Sequence, residues 1–192
     1  MGMHIILASK SPRRQELLRR VGLENFTVLV PEADESCPAG LSPEETVRFI
    51  SRKKALAAKA LAPADALIIA ADTMVFFGDK RLGKPKDEQD ALRMLLALQG
   101  QKHKVCTGVT VLRGETVLTE AEATDVFFRP ASEEELLRYI RGGEPMDKAG
   151  AYGVQGKGSL LVRRIEGDYY NVMGLPLLRL SAMLERFGVT LL

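Results

Sequence analysis

The chain has 192 residues, with 27 Lys and Arg against 25 Asp and Glu and a formal charge of +2. That length suits one domain, residues 1–192, built as a single body or as two closely packed lobes. So near-neutral a balance argues against a nucleic-acid surface. Two distant cysteines, Cys37 and Cys106, do not suggest a disulfide scaffold. No apolar stretch approaches membrane-spanning length, and the N-terminal apolar run is too short for a signal peptide. The expectation is a soluble, cytoplasmic chain with neither nucleic acid nor membrane as partner.

The charge is unevenly placed. Residues 1–30 hold five basic side chains, Lys10, Arg13, Arg14, Arg19 and Arg20, against Glu16 and Glu24. His4 to Ala8 reads as a buried strand, followed at once by the hydroxyls of Ser9 and Ser11. Pro12 stands where a helix begins, since its missing N–H would have no helical partner. Arg13 to Val21 is then amphipathic, with Leu17, Leu18 and Val21 inward, and Gly22 stops it. A strand that feeds a helix N-terminus through hydroxyls offers backbone N–H groups to an anion. Arg13 and Arg14 add forked donors suited to phosphate. The alternative is a capped helix with a solvated basic face.

Phe26 to Val30 reads as a second strand, and Pro31 to Leu41 as a polar loop carrying Glu32, Asp34 and Glu35. Ser42-Pro43-Glu44-Glu45 has the form of a capping box opening a helix that Pro63 ends. Lys53 and Lys54 are one helical step apart, so at most one of them readily points into a given site. Ala66 to Phe77 is the most apolar stretch and reads as a long central strand interrupted by Asp72 and Thr73.

Gly78 to Lys80 is a turn. Asp87 to Leu98 is a helix with Ala91, Leu92, Leu95 and Leu96 inward. Val105–Leu112 and Glu115–Phe128 form a hairpin around Arg113-Gly114. Ser132 opens another helix, which Gly142-Gly143 ends. Asp147 to Gly156 is a Gly-dense loop, Ser159 to Ile165 a strand, and Gly174-Leu175-Pro176 introduces the last helix, Leu177 to Phe187. Early alternation of strands and helices, then a hairpin, implies an α/β fold with a mixed sheet flanked by helices.

Asp72 is the sharpest single residue. A carboxylate inside an apolar strand has to be paired, bound to metal, or at a strand end facing a cleft. It reads as a general base or metal ligand at the carboxyl end of the strand. The plainer reading is that it begins a turn. Gly78 to Lys84 fits the first positions of a Walker A loop, but Pro85 occupies the place of the Ser or Thr that would hold magnesium. Gly83-Lys84-Pro85 either presents Lys84 on a stiffened backbone or is an exposed turn. Glu32 and Asp34 read as solvated acids. An acid of the Glu32–Glu35 loop together with Asp72 would offer hard oxygens suited to magnesium or manganese. Glycines of the 147–156 loop let backbone approach a ligand closely, and the Gln155 amide can read a base edge; a flexible surface turn is the alternative. His4 and His103 have no zinc spacing, no Cys–His cluster is present, and Gly-x-Ser-x-Gly is absent.

Six blocks in order carry a resemblance to a known family. They are Ala8-Ser9-Lys10-Ser11-Pro12-Arg13-Arg14, Asp34-Glu35, Ala71-Asp72-Thr73, Gly83-Lys84-Pro85, Asp147 to Gly156, and Gly174-Leu175-Pro176-Leu177. With these the chain resembles the Maf nucleotide pyrophosphatases nearly end to end. The resemblance implies a mixed, twisted α/β sheet with flanking helices, two-lobed and similar to inosine triphosphate pyrophosphatase, with a nucleotide cleft. It implies hydrolysis of a nucleoside triphosphate to monophosphate and pyrophosphate, assisted by a divalent cation, Mg or Mn. Asp72 matches the proton acceptor, while Ser9, Arg13, Glu35, Lys54, Lys84 and Gln155 fall where the family places its other site residues. Glu35 and Asp72 are the expected metal ligands. Lys54, preceding Ala55, matches the family pattern better than Lys53. Arg13, Thr73 and Gln155 match the branch acting on dTTP and UTP, possibly with modified pyrimidine nucleotides, whereas the 7-methyl-GTP branch carries Trp, Gln and Glu there. A homodimer is the family expectation. A second function, from another class, is a nucleotide-binding regulator of cell division or septum formation without significant turnover.

Overall fold

A computed structural model of the chain describes residues 3–192. The chain divides into two compact units: Met1–Asp72 with Thr107–Glu122 and Gly174–Leu192, and Thr73–Cys106 with Ala123–Met173. Among the described residues seven strands, β1 (Ile5–Leu7), β2 (Phe26–Val28), β3 (Leu67–Phe77), β4 (Lys80–Leu82), β5 (Lys102–Arg113), β6 (Thr116–Phe128) and β7 (Val162–Glu166), are hydrogen-bonded in the order β2-β1-β3-β5-β6-β7, with β4 off this path against β3.

In the first unit, β1 (Ile5–Leu7) lies parallel to both β2 (Phe26–Val28) and the start of β3 (Leu67–Phe77). A strand with parallel neighbours on both sides is covered on both faces, which is why β1 reads as unbroken apolar sequence. Helix α1 (Pro12–Arg20) buries Leu17 and Leu18, as its spacing predicts. Helix α2 (Pro43–Lys59) begins at Ser42, whose side chain and that of Glu45 satisfy each other's backbone N–H groups. Ala55 and Ala58 pack against Ile6, Ile68, Ala70 and Leu112, small residues that bring the helix close to the strands. At Gly108 the approach is closest. A Cβ there would lie 2.1 Å from the Val47 carbonyl oxygen of α2, so only glycine fits. That contact fixes how α2, and the lysines on it, sit over the strands. Helix α6 (Leu177–Glu185) closes this unit, burying Leu177, Leu180, Met183 and Leu184.

In the second unit, β4 (Lys80–Leu82) returns antiparallel along β3, and helix α3 (Glu88–Leu98) follows an Asp87 cap. The long strands β5 (Lys102–Arg113) and β6 (Thr116–Phe128) are neighbours in the expected hairpin, whose turn-side part, Thr107–Glu122, is counted with the first unit; in the second unit β7 (Val162–Glu166) pairs antiparallel with the end of β6. Helix α4 (Glu133–Arg141) opens on a second capping box, at Ser132. Its buried Leu136, Tyr139 and Ile140 share a core with Met94, Leu95, Leu98, Val126 and Phe128. Cys106 is buried and Cys37 half-buried. Among the described residues no helix is long and apolar enough to cross a membrane.

Several expectations change. Strand β3 is not interrupted at Asp72 and Thr73 but runs through them. Its return strand β4 and the five-residue helix α5 (Tyr169–Met173) carry no readable periodicity. In α3, Leu96 is exposed, and Met94 and Leu98 take inward positions. The Gly-dense loop and Ser159–Leu161 form short 3₁₀ turns with buried residues, in place of a flexible turn and the start of a strand.

His103 on β5 is 2 % exposed. Its Nε2 lies 2.7 Å from the Tyr152 hydroxyl, and its ring meets Phe128 and Tyr152 edge-on. Burial pushes its pKa down to about 4 from 6.5, against a smaller opposing pull from Asp125. A folded pKa below the unfolded one gives stability that is complete above pH 6.5 and lost as the pH falls toward the folded value. Between pH 6.5 and 5 this group should cost about 2 kcal/mol. Urea unfolding across that window checks it: His103→Gln should flatten the slope, and an unchanged slope would assign the loss to other groups.

Candidate active site

Asp72 sits within β3, not at its carboxyl end and not in a turn, and is 6 % exposed. Its Oδ1 accepts a hydrogen bond from Lys54 Nζ at 2.6 Å, while its Oδ2 is buried and accepts none among the described residues. The same Lys54 Nζ lies 2.8 Å from Glu35 Oε1. One ammonium from α2 therefore joins a carboxylate of a central strand to a carboxylate of the 31–41 loop. Lys53, one position earlier, turns elsewhere, donating to Asp34 Oδ2 and the Ser36 carbonyl, both at 3.1 Å. Asp34 also accepts from the hydroxyl and amide of Ser36, and these bonds, the hydroxyl's first, hold its acid at about 2. The paired lysines thus do two tasks: Lys53 fastens the loop, and Lys54 engages Glu35 and Asp72.

Ser9, buried after β1, lies beside the start of α1. Its Oγ accepts from the Ser11 amide at 3.2 Å and from Arg14 Nη1 at 3.1 Å. Arg14 Nε donates to the Gly174 carbonyl at 2.8 Å, so the guanidinium spans two segments 160 residues apart. The first turn of α1 has neither an acidic residue nor a side-chain cap, in contrast to α2, α3 and α4. Its orphan N–H groups and positive dipole end keep the anion-binding character read from the sequence. Arg13 lies half-buried in that turn.

Thr73, Lys84 and Gln155 belong to the second unit. Thr73 follows Asp72 along a strand, and successive strand side chains face opposite sides. Lys84 is exposed after β4, and the carbonyl of Gly83 accepts from the Gly150 amide at 3.0 Å. That bond ties the Gly-Lys-Pro turn to the Gly-dense loop, in which Gln155 is half-buried. The turn between β3 and β4 is a hairpin, so the rejected Walker A reading has no structural basis.

A family model described as Maf-like protein matches residues 4–187. The chain belongs to the Maf family. It is 50% identical over 184 residues to a dTTP/UTP pyrophosphatase of Symbiobacterium thermophilum, covering 96% of this chain and 94% of that one. It is 48% identical to a dTTP/UTP pyrophosphatase of Dictyoglomus turgidum over the full length of both. Among solved structures, the Staphylococcus aureus Ham1 protein superposes with a TM-score of 0.54 over 95% of this chain and 98% of that one, at 15% identity. This likeness is one of fold.

Within this Maf chain, two of the carboxylates fit a hard divalent cation. Asp72 Oδ2 is a buried oxygen in want of a partner, and Glu35 reaches the same lysine. Among the described residues there is no cluster of three or more potential ligands. Magnesium-type ions commonly take one or two carboxylates and complete their shell with water and substrate phosphate.

Arg14, one of the two arginines whose forked donors suit phosphate, bonds the protein's own Ser9 and Gly174. It is half-buried, and burial lowers its pKa to about 10, with Asp72 and Glu35 opposing and Arg13 adding to the shift. It stays charged at neutral pH. Arg14→Met should destabilise the protein by about 2 kcal/mol in urea unfolding, because a buried carbonyl and hydroxyl lose a charged donor. Arg14→Lys should lose nearly as much, since one ammonium does not reproduce the fork. Full stability in the lysine variant would show that charge alone suffices.

Proposed function

We propose that this Maf protein hydrolyses dTTP and UTP to the nucleoside monophosphate and pyrophosphate. The observation that carries the reading is the half-satisfied Asp72 carboxylate: Oδ1 is held by Lys54, and Oδ2 is buried with no partner among the described residues. A carboxylate so fixed suits proton abstraction, because it is oriented and keeps one oxygen for the incoming water. In the proposed step the water oxygen bonds to the α phosphorus as the bond to the bridging α–β oxygen breaks. Asp72 Oδ2 takes the water proton, and pyrophosphate leaves with the electron pair. Arg13, Lys54 and Lys84 offset charge developing on the leaving group. In the alternative role for Asp72, its Oδ2 and Glu35 would hold a divalent cation, Mg or Mn, whose chemistry there is neutralisation of phosphate charge. Ser9 is assigned to the phosphate end, and Thr73 and Gln155 to choice of base. Gln155 has both a donor and an acceptor for the carbonyl and N–H edge of thymine or uracil. The names of the 50% and 48% identical relatives support the same substrates.

A panel of nucleotides with magnesium or manganese tests this, with products identified. Pyrophosphate, not orthophosphate, should appear, and faster from dTTP and UTP than from 7-methyl-GTP. Equal rates would refute the branch assignment, and binding without turnover would favour a regulator of cell division. Asp72→Asn should keep the circular dichroism of the wild type and lose about a hundredfold or more in kcat. Near-normal turnover in that variant would remove Asp72 from the chemistry.

A further inference from the structure

The loop that presents Gln155 is built around side chains of its own chain. Glu144 precedes it, and the Glu144 carboxylate is the hub. Its Oε1 accepts from the Tyr139 hydroxyl and from the Gly158 amide, both at 3.0 Å, and its Oε2 accepts from the Lys157 amide at 2.9 Å. Tyr139, buried on α4, in turn accepts from the Gly153 amide at 3.2 Å. Burial pushes the Tyr139 phenol pKa upward, so the hydroxyl remains protonated and able to donate to Glu144. Lys148 donates to the Glu144 carbonyl and to Asp147 at 2.6 Å, and its stem lies under Gly153.

The glycines record the same packing. A Cβ on Gly153 would lie 2.8 Å from Lys148 Cε, one on Gly156 would lie 2.7 Å from Glu144 Oε2, and one on Gly158 would lie 2.6 Å from the Tyr139 hydroxyl and 2.2 Å from the Gly153 carbonyl. Gly156 also has φ +68°, a conformation that side chains rarely adopt. The space that side chains would need is filled by Glu144, Tyr139 and Lys148. Gln155 lies between the two anchored ends, with Gly153 on one side and Lys157 and Gly158 on the other. Its amide takes part in none of the bonds that order the loop.

We infer that Glu144, acting with Tyr139, is a positioning residue that sets Gln155 and thereby the preference for thymine and uracil over cytosine. The inference rests on the reading of Gln155 as the base-reading residue. Cytosine exchanges a carbonyl acceptor for an amino donor, so rejecting it requires an amide held in one orientation. A loop free to shift would let Gln155 present either end of its amide. In Glu144→Gln the new NH₂ cannot accept from a backbone amide, which leaves at least one loop N–H without its carboxylate oxygen. Tyr139→Phe removes the donor to Glu144 and the acceptor for Gly153, and leaves the ring in the core.

The experiment compares Gln155→Ala, Glu144→Gln, Tyr139→Phe and the Glu144→Gln/Gln155→Ala double variant with dTTP, UTP and dCTP. Amide exchange at Gly153, Lys157 and Gly158 is followed in parallel. Glu144→Gln and Tyr139→Phe should each raise KM for dTTP and UTP about tenfold with little change in kcat, because base contacts lie away from the reacting phosphate. Both should reduce the preference over dCTP and speed exchange at the three amides. The double variant should lose no more preference than Gln155→Ala alone. If Gln155→Ala keeps the wild-type preference, the base-reading role fails and the inference falls with it. If Gln155→Ala loses the preference while Glu144→Gln and Tyr139→Phe keep it, only the positioning role is overturned. Should Glu144→Gln not fold, the Tyr139→Phe pattern decides alone.

Discussion

The ion pair between Lys54 and Asp72 is the interaction on which the rest of the candidate site depends. A carboxylate inside a central strand is costly to bury alone, and a single opposite charge compensates only when its geometry is good. Lys54 meets that condition because α2 is fixed against the strands. The Ser42 capping box sets where the helix starts, Ala55 and Ala58 let it lie close, and Gly108 admits the Val47 carbonyl. Enlarging Gly108 would move α2 and so displace Lys54 without touching either charged residue. The charge of the site is thus a consequence of helix packing several residues away.

The balance of donors and acceptors bears on the triphosphate site proposed here. A lysine ammonium has three donors. Two of those on Lys54 face Asp72 and Glu35, and in the proposed reading the third meets a phosphate oxygen. Arg14 is committed to Ser9 and Gly174 and serves mainly as a brace. Arg13 stands beside it in a first turn that has no acid to compete with a phosphate. Lys53 likewise fastens the 31–41 loop while Lys54 engages Asp72 and Glu35, so in the proposed reading each adjacent basic pair has one member that shapes the protein and one that meets phosphate.

These divisions show what was legible in the sequence. Local signals were read correctly: the capping boxes at Ser42 and Ser132, the inward Leu17 and Leu18, and the apolar run of β3. Asp72 stood out because a carboxylate breaks such a run. Its place in mid-strand was not legible, because the counter-charge that lets the strand continue comes from another element, 18 residues earlier. The bracing role of Arg14 is not legible for a similar reason, since its partner carbonyl is 160 residues away. Strand β4 and helix α5, three and five residues long, are shorter than any period that would reveal them. Local propensity was readable, and long-range partnership was not.

The Gly-dense loop makes the same distinction within one motif. Glycine permits close approach of backbone, but composition does not say what approaches. A ligand was the reading from sequence. In the fold, the atoms nearest the absent side chains at Gly153, Gly156 and Gly158 belong largely to Lys148, Glu144 and Tyr139. The glycines therefore serve to fold the segment onto its own polar anchors, and the proposed base-reading role is left to Gln155 between them. A loop ordered this way has lost its conformational freedom before any nucleotide arrives. If Gln155 reads the base as proposed, its amide has less entropy to surrender on binding, and a wrong hydrogen-bond pattern is harder to accommodate by local rearrangement.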